Sequence, residues 1–109
     1  MSVNGIWKIE MLGPYGWESV ATAFFEDGRY LSGSQDHYTQ GQYSIDGNHI
    51  EVTGVMRAHG QVRTLFGKQR EVMDISFDGQ IDGDQIQGQA RDDDGVYLIS
   101  FRAVRLDDL

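Results

Sequence analysis

Apolar and polar residues alternate along most of this chain, the period of a strand with one face buried. Ile50, Val52, Gly54 and Met56 share one face, and Glu51, Thr53, Val55 and Arg57 share the other. Met73, Ile75 and Phe77 oppose Val72, Asp74 and Ser76, and Trp7, Ile9 and Met11 oppose Lys8 and Glu10. The pattern predicts eight strands, near 5–12, 18–26, 29–34, 38–45, 49–58, 70–78, 84–91 and 96–106. No segment keeps a helical period over ten or more residues. Trp7, Ile9, Ile50, Val52, Met73, Ile75 and Phe77 are the expected interior.

The breaks between strands carry turn chemistry. Asp-Gly occurs at 27–28, 46–47, 78–79, 82–83 and 94–95. Both residues tolerate the positive φ that tight hairpins demand. The only proline, Pro14, sits in Gly13-Pro14-Tyr15-Gly16, a turn between the first two strands. A weak repeat of the form D-G-x-x-[LI]-x-G begins at Asp27 and again at Asp82. Eight antiparallel strands with short connections suit an all-β, up-and-down barrel, which leaves no exposed edge. At 109 residues the chain is one domain, 1–109.

Three local features remain open at this level. In the last strand, Tyr97, Ile99, Phe101 and Ala103 form the more apolar set, yet the repeat aligns Leu98 with Ile50 and would bury the opposite set. Gly33, Gly54 and Gly88 fall on the same side as Leu31, Ile50 and Ile86. They either let a small barrel coil sharply or leave room for a ligand. The one long connection, 59–69, holds Val62, Leu65 and Phe66. These are too apolar for a free loop, so they are expected to plug one barrel end, the alternative being a plain extension of the flanking strands.

Net charge is −8, which disfavours direct binding to a phosphate backbone. The charge is uneven. Arg57, Arg63, Lys68 and Arg70 lie in a stretch free of acids, while Asp92, Asp93 and Asp94 form an acidic run. The two are either ordinary solvated charge or patches that steer a partner or a second copy. There is no cysteine, no basic leader followed by an apolar run, and no stretch of ~18 apolar residues. A cytoplasmic protein with no membrane span is expected. Strands apolar on both faces, notably 96–106, predict a homodimer.

Catalytic signatures are absent from the sequence. His37, His49 and His59 lie in or beside turns, without a spacing such as H-x-x-x-H, so no metal site is expected. The serines lack a nucleophile elbow, and Asp92-Asp93-Asp94-Gly95 lacks the remainder of a calcium loop. A non-enzymatic protein without a cofactor is the expectation.

Gly5-Ile6-Trp7, with Arg102 and Arg105 on the last strand, resembles the calycins, in which an arginine packs over the tryptophan and closes one barrel end. A longer match runs through Asn4-Gly5-Ile6-Trp7-Lys8-Ile9, Asp27-Gly28-Arg29-Tyr30-Leu31-Ser32-Gly33-Ser34, Tyr38-Thr39-Gln40-Gly41-Gln42-Tyr43 and the segment from Phe77 to Gly88. This resembles the GrlR-like negative regulators of type III secretion gene expression. The resemblance implies an eight-stranded barrel with an apolar interior, dimerisation through its wall, and binding to a transcriptional activator rather than to DNA. The Glu-Asp-Glu-Asp stretch that the family's regulator uses for its partner is absent. Asp92, Asp93 and Asp94 are the nearest acidic run and the candidate partner contact. The alternative is a calycin-type carrier of a small apolar molecule.

Overall fold

The computed structural model describes residues 2–109. It contains β1 (Gly5–Gly13), β2 (Gly16–Glu26), β3 (Arg29–Gly33), β4 (His37–Asp46), β5 (His49–Ala58), β6 (Thr64–Leu65), β7 (Lys68–Gln69), β8 (Val72–Asp82), β9 (Gln85–Asp92) and β10 (Ile99–Asp107). Eight strands close into an antiparallel barrel in the order β1-β10-β9-β8-β5-β4-β3-β2. Each pairs with its neighbours in sequence, with β10 returning to β1, so the up-and-down topology is the predicted one. The small β6–β7 hairpin stands apart from the barrel sheet.

Two Asp-Gly assignments need correction. Asp78-Gly79 is no turn; β8 runs straight through it to Asp82. Asp94-Gly95 lies in a longer connection between β9 and β10, where Asp94 Oδ1 accepts the Val96 amide. The last strand therefore starts at Ile99, and Val96, Tyr97 and Leu98 are exposed outside the ladder. Phe101 and Ala103 point inward, so the burial suggested by the repeat is wrong: it assumed a two-residue loop that is not there. The remaining turns follow the chemistry. Asp27 and Gly28 both have positive φ (49° and 88°), as a type I′ loop needs. At Asp46-Gly47 and Asp82-Gly83 the aspartate is instead the last paired residue.

The inward face is the one alternation predicted. Trp7, Ile9, Ile50, Val52, Met73, Ile75 and Phe77 are all buried. Leu31 and Gly33 depart from the expected set; Tyr30 takes the inward position on β3, which turns its neighbours outward. A chain of edge-to-face and tilted rings fills the lumen. It runs from Trp7 to Phe25 (5.7 Å), Tyr30 (5.1 Å), Phe77 (5.9 Å) and Phe101 (5.1 Å). The space left among these rings is about 10 Å³.

Why so small a barrel closes is visible at its glycines. Gly41 faces Gly54 across β4–β5, and Gly79 faces Gly88 across β8–β9. A Cβ on Gly41 would lie 1.9 Å from the Thr53 carbonyl oxygen, and one on Gly88 would lie 1.9 Å from that of Asp78. Neighbouring backbones thus occupy the space a side chain would need. For Gly54 and Gly88 this decides for sharp coiling over ligand room.

One end is sealed as the tryptophan–arginine pairing anticipated. The Arg105 guanidinium lies 4.7 Å from the Trp7 ring centroid, in the range of a cation–π contact worth ~0.5–2 kcal/mol. It also donates to the carbonyls of Asn4 (2.6 Å) and Ser2 (3.0 Å), while Trp7 Nε1 donates to Val3 O (2.9 Å). Arg102 does not share this role. It stacks on Trp17 (4.3 Å) on the outer wall and donates to Glu10 (2.8 Å).

Replacing Gly88 with Ala should cost roughly 1–3 kcal/mol or more, because backbone must move. Gly33→Ala, with nothing within 4 Å of the new Cβ, should stay within about 0.5 kcal/mol of wild type. Urea midpoints at unchanged slope measure both. Equal midpoints for the two variants would show that the glycine pairs do not set the curvature.

Candidate functional site: the barrel mouth

Opposite the sealed end the barrel opens into a cavity of about 740 Å³. Ile9, Met56, Phe66, Ile75 and Phe77 give it an apolar floor, and Glu18, Ser32, Asp36, His37 and Arg63 give it a polar rim. The β1–β2 hairpin, with Leu12 and Pro14, forms part of the wall. Strand alternation sends Met56, Ile75 and Phe77 inward at this level. Beyond it the ladders end and polar loop residues take over.

The long connection folds onto this mouth as a hairpin of its own. Leu65 and Phe66 line the cavity, and Phe66 is buried. Val62 is half-buried and takes no part in the floor; its carbonyl instead accepts a hydrogen bond from Gln69 Nε2 (3.0 Å). The tight loop of the hairpin is Phe66-Gly67, with φ of 55° and 72°. Gly67 suits that geometry, but a bulky aromatic at positive φ is strained by about 1–3 kcal/mol. Burying the ring offsets this, at roughly 1.5–3 kcal/mol for a large apolar side chain. The hairpin tip is therefore held by its insertion into the mouth rather than by its own turn preference.

Two charged clasps hold the hairpin down. On one side Asp36 gathers the incoming chain. Its carbonyl accepts the amides of His59 (2.8 Å) and Gly60 (3.1 Å), and its carboxylate accepts from the Gln61 amide (3.1 Å) and Arg63 Nε (2.8 Å). Arg63, then the Gln61 amide, hold the Asp36 carboxyl below its ordinary range. On the other side Lys68 Nζ bridges Asp92, at 2.5 Å, and Asp94. Arg70 reaches Asp93 at 4.0 Å. The Tyr97 ring packs over Gly67.

The basic stretch and the acidic run thus meet each other within one chain. The Asp92 side chain is only 1 % exposed and has no surface to offer a partner, whereas Asp93 and Asp94 are half exposed. Sequence reasoning had the two charge blocks but not their pairing, because residues 68 and 92 meet only through barrel register. Two buried polar atoms lack a hydrogen-bond partner among the described residues: Asp92 Oδ1, and His37 Nε2 on the mouth rim.

No protein-family model, curated protein or solved structure matches this chain.

The strained tip makes a prediction about sign. Phe66→Ala should lower stability by roughly 3 kcal/mol through lost packing. Phe66→Gly should recover about 1 kcal/mol of that, since glycine accepts positive φ freely. Both variants, and Leu65→Ala combined with Phe66→Ala, should keep the β-sheet circular dichroism and bind more of a fluorescent apolar dye. A glycine variant less stable than the alanine one would mean the turn is unstrained.

The Lys68 clasp makes another prediction. Lys68, then the Val96 amide, pull the Asp94 carboxyl from 3.8 to about 2. A folded value below the unfolded one means stability that is present above 3.8 and is lost as pH falls toward about 2. Asp94→Asn should therefore be less stable than wild type at neutral pH, and the gap in urea midpoint should close across that window. A gap that persists to pH 2 would contradict a charged Asp94 in the clasp.

Proposed function

We propose that this chain is a non-enzymatic binding module of the cytoplasm. In this reading it acts as the GrlR-like negative regulators it resembles, by holding a protein partner rather than DNA. One observation supports this reading over a carrier that encloses its ligand in the barrel: the space among the lumen rings is only about 10 Å³, and the open volume of about 740 Å³ lies at the mouth. Binding then falls to the outer wall and the mouth. An open, apolar-floored mouth with a charged rim suits an apolar anchor residue of a partner, ringed by polar contacts. The net charge of −8 favours a basic partner, such as a DNA-binding activator, mainly by raising the association rate. Exposed Leu12, Tyr15 and Trp17 on the β1–β2 hairpin and Val96, Tyr97 and Leu98 in the β9–β10 connection favour a homodimer in which a second copy covers them.

A second reading places a small amphipathic molecule in the mouth. The unpartnered His37 Nε2 on the rim favours it, since a ligand head group would satisfy that atom.

Affinity capture from host extract, with wild type and Leu12→Glu compared, separates the readings. Leu12 lines the mouth and is 47 % exposed, so the change spares the core. A DNA-binding activator held by wild type, at least about tenfold less by the variant, and displaced from its promoter by the protein, supports regulation. Native mass spectra showing a copurifying apolar molecule, with no activator retained, would overturn it in favour of the second reading.

A further inference from the structure

On the outer wall, away from the mouth, strand register assembles a group that no spacing in the sequence announces. His49 and Glu51 are two apart on β5, so both point outward, alternating with Ile50 and Val52, which are buried. Asp78 on β8 is the register partner of Glu51. His49 Nε2 lies 2.9 Å from Asp78 Oδ1 and 3.7 Å from Glu51 Oε1. One ligand atom from each of the three lies within 4.8 Å of the other two.

We propose that His49, Glu51 and Asp78 bind a first-row divalent cation, zinc being the best-fitting class. Zinc bonds to imidazole nitrogen and carboxylate oxygen of about 2.0–2.2 Å in a tetrahedron place ligand atoms roughly 3.3–3.6 Å apart. The two separations from His49, 2.9 and 3.7 Å, bracket that range, and the third pair lies within 4.8 Å, so rotamer shifts bring the three together. One nitrogen with two carboxylates suits zinc better than calcium or magnesium, which take all-oxygen shells. Three protein ligands leave a fourth position for water or an outside donor. The ligands stand on two paired strands anchored by Ile50, Val52 and Phe77, a rigid base for a site.

A supporting group sits beside them. Gln80 is the register partner of His49, and its amide lies 3.5 Å from His49 Nδ1. Coordination through Nε2 needs the proton on Nδ1. Turning the Gln80 amide presents its oxygen to accept that proton, the usual way a ligand histidine is oriented.

The competing arrangement is an ordinary charge network, with His49 donating to Asp78 and Arg91 Nη1 at 3.9 Å from the other Asp78 oxygen. Arg91 offsets one carboxylate. Glu51 and Asp78 remain directly opposed like charges, which is unfavourable on neighbouring strands and which a cation relieves.

Titration of metal-free protein with zinc chloride by calorimetry tests the site, with the ligand imidazole followed by NMR. One equivalent should bind and perturb the His49 ring, with magnesium and calcium giving no signal. His49→Ala and Asp78→Asn should each weaken binding at least about tenfold, and Gln80→Ala by a comparable factor. His37→Ala and His59→Ala should bind as wild type does. All five positions are partly or fully exposed, and circular dichroism verifies the fold of each variant. Absence of saturable binding up to about 1 mM zinc, or binding unchanged by His49→Ala, would overturn the proposal.

Discussion

The seam between β1 and β10 is the contact on which the rest of the molecule depends. Without it the sheet would be open, with two long edges able to pair with other chains. Residues about a hundred positions apart must find each other there, so its side-chain anchors matter. At the sealed end Arg105 lies over Trp7 and reaches the carbonyls of Asn4 and Ser2. Farther along, Arg102 binds Glu10 across the strands and covers Trp17 from outside. Even Gly5 belongs to this arrangement, since a Cβ there would lie 2.7 Å from both Arg105 Nη1 and the Asp107 carbonyl. Closure then forces high curvature on few strands, and the Gly41–Gly54 and Gly79–Gly88 approaches supply it.

Curvature in turn governs where binding can occur. A barrel this narrow has its lumen filled by the rings of Trp7, Phe25, Tyr30, Phe77 and Phe101. Usable space is displaced to the mouth, where the ladders end and the β6–β7 hairpin covers part of the opening. That hairpin is held by charge at both ends and by a strained Phe66 at its tip. The outer wall, made of strands locked by the core beneath, offers rigid positions instead, as at His49, Glu51 and Asp78.

Much of the fold was legible because strand alternation is a local property. The inward sets around Ile50, Met73 and Trp7 needed no knowledge of the partner strand. What failed was long-range. Asp78-Gly79 looks like a turn in isolation, and only its place opposite Gly88 shows that the glycine is there for backbone approach. The repeat sets Leu31 inward, but Tyr30, whose ring packs on Phe25 and Phe77, takes that face. The acidic run looked like free surface charge because nothing local says that Lys68 will reach it. On a strand, residues two apart such as His49 and Glu51 stand side by side and register sets Asp78 opposite, a juxtaposition that no spacing along the chain announces.

Amide hydrogen exchange resolved residue by residue tests the closed barrel most directly. Amides of β1 and β10 that point across the seam should exchange as slowly as those between β5 and β8, because both ladders open only with the core. Seam amides that exchange on the timescale of surface loops, while β5–β8 stays protected, would mean an open sheet. The sealed end and the filled lumen would then both be contradicted.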